Sequence, residues 1–130
     1  MNIELVNYKR KRARETLNDA KAMFEHARLF STVNRIYYAI FYEVVALLLT
    51  KKLSSAKHSG VRSLFNREFV KIGIVKEKLA DFYSKMFDFR QKADYGDFVE
   101  FEEEKVRTWL EEAEDFINKI DKVVEGLIEE

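Results

Sequence analysis

Along most of the chain apolar residues recur at spacings of three and four, but one stretch is apolar almost continuously. Over residues 36–49 every position is apolar or aromatic except Glu43. A surface helix carries a single apolar stripe, whereas a helix that is apolar all round belongs inside. Fourteen residues fall short of the about 20 needed to cross a bilayer. Residues 31–53 are therefore predicted to form a central helix covered by others, capped by Ser31 or Thr32, with no membrane span. The flanking segments supply the cover. Residues 5–29 place Ala13, Leu17, Ala20, Phe24 and Ala27 on one face. Ser59 can cap a short third helix with Val61, Leu64, Phe65, Phe69 and Ile72 inside, ended by Gly73 in a left-handed conformation. A fourth helix runs from about residue 75 to 93 or 94 on the stripe Leu79, Phe82, Tyr83, Met86, Phe89 and Ala93, and Gly96 breaks it. After an acidic run that suits a helix N-terminus, Val106, Leu110, Ala113, Phe116 or Ile117, Ile120, Val123 or Val124 and Leu127 line a fifth helix, with Trp109 at the stripe's border.

No period-two alternation or hairpin turn competes with these helices, and Pro is absent. The expectation is all-α: an up-and-down bundle of four long helices plus a short one, forming a single domain over residues 1–130. A hydrophobic content of 47% suffices for a core. The 23 basic and 23 acidic residues cancel, so binding to nucleic acid has to come from a local patch. Absent cysteines exclude disulfides and thiolate metal sites. The first residues lack the apolar region of a secretory signal, and a cytoplasmic location is expected.

The candidate chemistry lies in polar residues that interrupt the pattern. Lys9, Arg10, Lys11, Arg12 and Arg14 cluster early in the first helix, where cations oppose the helix dipole. They form either a solvated helix end or a phosphate contact surface. Arg90 falls within about 40° of Tyr83 and Met86 around the fourth helix, with Asp94 one turn on. This is either a structural ion pair or a cleft arginine whose planar fork meets phosphate. Asn34, Tyr38 and Tyr42 share a face of the central helix, with Arg35 beside them. They serve interior packing or a nucleobase platform. His58 sits in a loop before the third helix as a turn residue or an acid–base group, and His26 belongs to the surface or core edge. No helical pair of histidines points to a metal, and no glycine-rich phosphate loop occurs.

Four stretches together resemble the HEPN family (higher eukaryotes and prokaryotes nucleotide-binding domain), in its small stand-alone prokaryotic branch. They are Asn34-Arg35-Ile36-Tyr37-Tyr38-Ala39-Ile40-Phe41, Lys57-His58-Ser59-Gly60-Val61, the run FNREFVKIG from Phe65, and Arg90-Gln91-Lys92-Ala93-Asp94-Tyr95-Gly96-Asp97. In order and spacing they cover residues 31–103. The resemblance implies a helical bundle that commonly forms homodimers, pairs with a separate small nucleotidyltransferase in toxin–antitoxin-type systems, and binds nucleotide or RNA. Many members are metal-independent ribonucleases whose motif is an Arg, four to six residues, then a His. Here the Arg is Arg90, but Tyr95 and Asp97 stand at the spacings where the His belongs, and no His follows Arg90. A phenol with an ordinary pKa near 10 is a poor base at neutral pH. Asn34, Arg35, Tyr38 and Arg90 are thus expected to bind nucleotide or phosphate, while Arg90, Asp94, Tyr95 and His58 are weak catalytic candidates. No cofactor or metal is implied. The resemblance leaves three readings: a non-catalytic nucleotide-, RNA- or partner-binding module, a ribonuclease with a variant site, and a purely structural assembly module.

Overall fold

The computed structural model describes residues 1–96 and 99–130. Five α-helices follow one another: α1 (Ile3–Glu25), α2 (Leu29–Thr50), α3 (His58–Phe65), α4 (Glu77–Tyr95) and α5 (Glu103–Ile128), and a π-helical turn, Asn66–Val70, continues α3. No strand occurs among the described residues. The expected all-α bundle is therefore observed. Arg10 meets Asp121, Asn34 meets Asp94, and Phe89 stacks on Trp109. Such cross-pairings make α1, α2, α4 and α5 run alternately up and down, with α2 packed against α1, α3, α4 and α5. The core includes Val33, Ile36, Tyr37, Ile40, Leu47, Phe65, Tyr83, Met86, Phe116 and Ile120, all fully buried.

Several ends differ from the sequence expectation. The α1–α2 connection is only His26, Ala27 and Arg28, with Ala27 left-handed at φ 57° and the Arg28 N–H donating to the Met23 carbonyl. The chain re-enters a helix at once, so α2 begins before Ser31, and neither Ser31 nor Thr32 caps it. The Thr32 hydroxyl donates instead to the Arg28 carbonyl at 2.8 Å. The π-helical turn widens the spiral and shifts its phase. Phe69 stays inside, but Ile72 swings out to 58% exposure and Val75 takes the inner position. Gly73 is left-handed as expected, with φ +84°. Trp109 is buried rather than bordering the stripe, because Phe89 and Phe101 close over it.

At 22 residues α2 is long and apolar enough to span a bilayer by composition alone. Length therefore does not decide the matter as the shorter apolar run suggested. What decides it is burial: most of α2 is already covered by the other helices.

One charged group lies inside that cover. Glu43 is fully buried. Burial pushes its carboxyl up to about 10, and the neighbouring Asp121 pushes the same way. Ionised, neither of its oxygens finds a donor; protonated, it can donate to Asp121. Burial alone would raise Asp121, but the Glu43, Arg10 and Arg14 hydrogen bonds outweigh it and hold Asp121 below the usual range. Arg10 donates to Asp121 at 2.7 Å and to Glu125 at 2.9 Å, and Arg14 donates to Asp121 at 3.2 Å. Two members of the basic cluster thus clamp α1 to α5, which is why cations are tolerated near that helix start.

The folded state holds a proton on Glu43 that the unfolded chain releases above about pH 4.5. Its contribution to stability is full below that pH and declines towards pH 10, by up to about 1.4 kcal/mol per unit. Asp121 acts oppositely, losing its contribution only as pH falls through its depressed value. Thermal melts of Glu43→Gln should therefore show a flatter decline between pH 5 and 9 than the parent protein, and a higher Tm at pH 8. An unchanged slope would locate the titration elsewhere.

Candidate functional site

The first turns of α2 and the last turn of α4 meet because the two helices run antiparallel. Asn34 Nδ2 donates to Asp94 Oδ1 at 3.3 Å, and Arg90 Nη1 donates to Asp94 Oδ2 at 3.4 Å. Arg35 donates through Nε and Nη2 to Asn34 Oδ1 at 3.1 and 2.7 Å. Asn34 is the hinge of this network, since its amide presents a donor to one neighbour and an acceptor to the other. The network borders a cleft of about 510 Å³ lined by Asp19, Ala22 and Met23 of α1, Phe30, Ser31, Asn34 and Arg35 of α2, and Ala93 and Asp94 of α4. An apolar floor with a few convergent polar groups is the usual form of a small-molecule site.

Arg90 is only 11% exposed. Its guanidinium carbon lies 4.8 Å from the centre of the Tyr37 ring and 5.9 Å from that of Tyr38, and its Nε is buried without a partner. The Arg35 guanidinium lies 5.1 Å from the Tyr38 ring centre. Tyr38 is therefore half-buried between two cations rather than a free stacking platform. Tyr42, one turn further, lies under Lys9 and Arg12 of α1, which accounts for two more members of the basic cluster.

His58 comes to this group from a different direction. It opens α3, and its ring stacks on Phe41 at 4.3 Å with 7° between the planes. Its Nδ1 is 2.7 Å from the hydroxyl of the fully buried Tyr37. Burial pushes Tyr37 up to about 12, so the phenol keeps its proton. Burial and the nearby Arg90 push His58 down, so the imidazole is neutral at pH 7. Nδ1 is the one hydrogen-bond partner that the buried Tyr37 hydroxyl has among the described residues, so the phenol proton is satisfied only by donating to it; Nδ1 then accepts, and the remaining ring proton sits on Nε2. Neutral and fixed in this tautomer, His58 offers a hydrogen-bond donor and neither a ready base nor a strong acid.

The structure thus brings together Asn34, Arg35, Tyr38, His58, Arg90 and Asp94. Tyr95 is not among them: as the last residue of α4 it is 81% exposed and has no hydrogen-bond partner among the described residues. Asp97 lies outside the described residues. No His follows Arg90 along the chain, but His58 reaches the same aromatic cluster from earlier in it. Sequence spacing along α4 could not show this, since the contact is made between helices. Arg62, whose guanidinium carbon lies 4.1 Å from the Phe87 ring centre, and the Asp19–Met23 wall of the cleft carried no signal in the sequence. Among the described residues no group of three or more His, Asp or Glu side chains assembles in a way that could hold a metal ion.

Removing the acceptor of a buried hydroxyl leaves it unsatisfied, at a cost of about 1–3 kcal/mol. His58→Phe keeps the stack on Phe41 and should destabilise the protein by this amount in chemical denaturation. Adding Tyr37→Phe should recover most of the loss, and additive effects of the two substitutions would refute the pairing.

The same chain shows clear likeness to known proteins. A family model described as HEPN domain matches residues 6–123. A UPF0332 protein of Thermotoga maritima is 55% identical over 124 residues, covering 95% of this chain and 94% of the relative. Two Methanocaldococcus jannaschii proteins whose names class them as candidate toxins are 39% and 34% identical, covering 89% and 85% of this chain and 86% and 76% of their own lengths.

Proposed function

Because the chain belongs to the HEPN domain family, we propose that it is a nucleotide- or RNA-binding module, the non-catalytic component of a two-component system with a small nucleotidyltransferase. The observation that carries this reading is the Arg90–Asp94–Asn34–Arg35 network at the rim of the 510 Å³ cleft. It joins two guanidiniums, an amide and a carboxylate, and no histidine takes part in it. Guanidiniums present several fixed donors to phosphate, and the half-buried setting of Arg90 strengthens such a contact relative to water. The protein works in this reading as a homodimer in the cytoplasm, with the exposed Phe30, Leu5 and Tyr8 as apolar surface available for association.

A second reading draws on the proximity of His58 and on the names of the Methanocaldococcus relatives. In it the protein is a metal-independent ribonuclease with a variant site built from Arg90, Asp94 and His58. The tautomer fixed by Tyr37 argues against His58 as its base. The structural reading, in which Arg90–Asp94 only ties helices together, has the unpartnered Nε of Arg90 against it, since a purely structural arginine gains by satisfying its donors.

Fluorescence titration with labelled mononucleotides, an RNA panel and the purified nucleotidyltransferase separates the three. The binding-module reading expects saturable binding that Arg90→Ala weakens about 10- to 100-fold, the loss typical of a charge-assisted hydrogen bond. EDTA-resistant RNA cleavage abolished by both Arg90→Ala and His58→Ala would establish the ribonuclease. Undiminished binding in Arg90→Met would leave Arg90 a structural residue.

A further inference from the structure

We propose that His58 and Arg62, both carried by α3, complete with Arg90 a receptor for one phosphate group, and that Tyr37 is the positioning residue of this receptor. The inference rests on the nucleotide- or RNA-binding reading and assigns part of that ligand to a second element, outside the cleft lining.

Three observations converge on the α2–α3–α4 junction. First, two guanidiniums share one aromatic support. The buried Phe87 ring has the guanidinium carbon of Arg62 at 4.1 Å from its centre and that of Arg90 at 6.0 Å. Stacking on a ring fixes a guanidinium's plane and leaves its N–H edges free to donate. Second, their charge is poorly matched. Arg62 has no ion pair among the described residues, and Arg90 has a single contact of 3.4 Å to Asp94, which also accepts from Asn34. Arg90 Nε remains buried without an acceptor. A half-buried cation with unused donors is costly unless an anion completes it.

Third, His58 adds a donor without adding charge. Phe41 holds the ring by stacking, and Tyr37 occupies Nδ1. Nε2–H is then the free edge of a half-buried imidazole. The groups facing the ring are Tyr37, Tyr38 and Phe41 of α2 and the Arg90 charge of α4. Arg62, Arg90 and Nε2–H together offer donors and no acceptor. That set does not suit a metal ion or a cation. It suits a tetrahedral oxyanion, and a phosphate monoester or diester is the form of it that a nucleotide or RNA carries.

The protein contains two histidines, so imidazole NMR reads the site directly, with the exposed His26 as internal control. The probes are inorganic phosphate, 5′-AMP, and a tetrauridylate with a 5′-hydroxyl that carries only diesters. Addition of probe should shift the His58 Nε2 and ring-proton resonances saturably and raise the His58 pKa, because a bound anion offsets the field of Arg90, while His26 stays put. Arg62→Gln, a half-exposed change that leaves the core intact, should weaken that titration about tenfold, the change that one lost charged contact produces. Tyr37→Phe should shift the Nδ1/Nε2 tautomer ratio. Response to AMP alone assigns the site to a monoester, and response to the tetrauridylate assigns it to the RNA backbone. Probe binding that leaves His58 unmoved and Arg62→Gln unaffected overturns the inference and leaves the nucleotide reading standing. Failure of every probe to bind overturns both.

Discussion

A helix buried on nearly all sides has nowhere to send its polar groups, and the rest of this structure answers that constraint on α2. Polar side chains on the buried part of α2 need partners within the protein, because water cannot reach them. Tyr37 is met by His58 of α3, Asn34 by Asp94 of α4, and Glu43 by Asp121 of α5 under the arginines of α1. The three solutions differ in chemistry. One is a phenol–imidazole hydrogen bond, one an amide bridging a carboxylate to a guanidinium, and one a carboxyl that keeps its proton. Together they tie α2 to every other helix at a defined height, which apolar packing alone specifies less sharply.

The same demand builds the site. Asn34 can bridge Arg35 and Asp94 only because the first turns of α2 emerge from the bundle where α4 ends. Arg90 can lie over Tyr37 because that ring is held edge and face by Phe87, Tyr38 and His58. The fixed aromatic ground below leaves the guanidinium N–H groups as the variable part, and they are short of acceptors among the described residues. Membership in the HEPN family fits this arrangement, with one departure: the histidine nearest the arginine comes from α3 rather than from the turn after it. A histidine following the arginine along α4 would be free to exchange protons with solvent. One locked by a buried tyrosine is a hydrogen-bond donor of fixed direction.

Much of the fold was legible from periodicity. The stripes on α1, α4 and α5 and the all-round apolarity of α2 required five helices in a bundle, and Gly73 announced its own left-handed turn. What periodicity missed came from local departures that have weak signals. A three-residue connection with a left-handed alanine at its centre moved the α1–α2 boundary, and the π-helical turn after Phe65 shifted the phase of the segment that follows it, so that Ile72 lies outside and Val75 inside. In the site, Asn34, Arg35, Tyr38, Arg90 and Asp94 could be named because each sits one or two helical turns from another. Tyr95 could be named for the same reason, yet a helix's final residue need not follow its stripe, and it points to solvent.

The sequence by itself determined which faces had to be buried and which charged residues broke those faces, since both follow from spacing along a single helix. It marked Glu43 as an exception and Arg90 as a core-facing cation. Only the tertiary structure decided what each exception meets. Glu43 faces Asp121 from nearly eighty positions away, and His58 reaches the Arg90 cluster from the preceding helix. Arg10 and Arg14 turn out to be clamps, whereas Lys9 and Arg12 cover an aromatic ring. Partners of this kind are set by the crossing heights and rotations of packed helices, and those depend on turn geometry and side-chain volume throughout the core. No spacing rule along one chain segment contains that information.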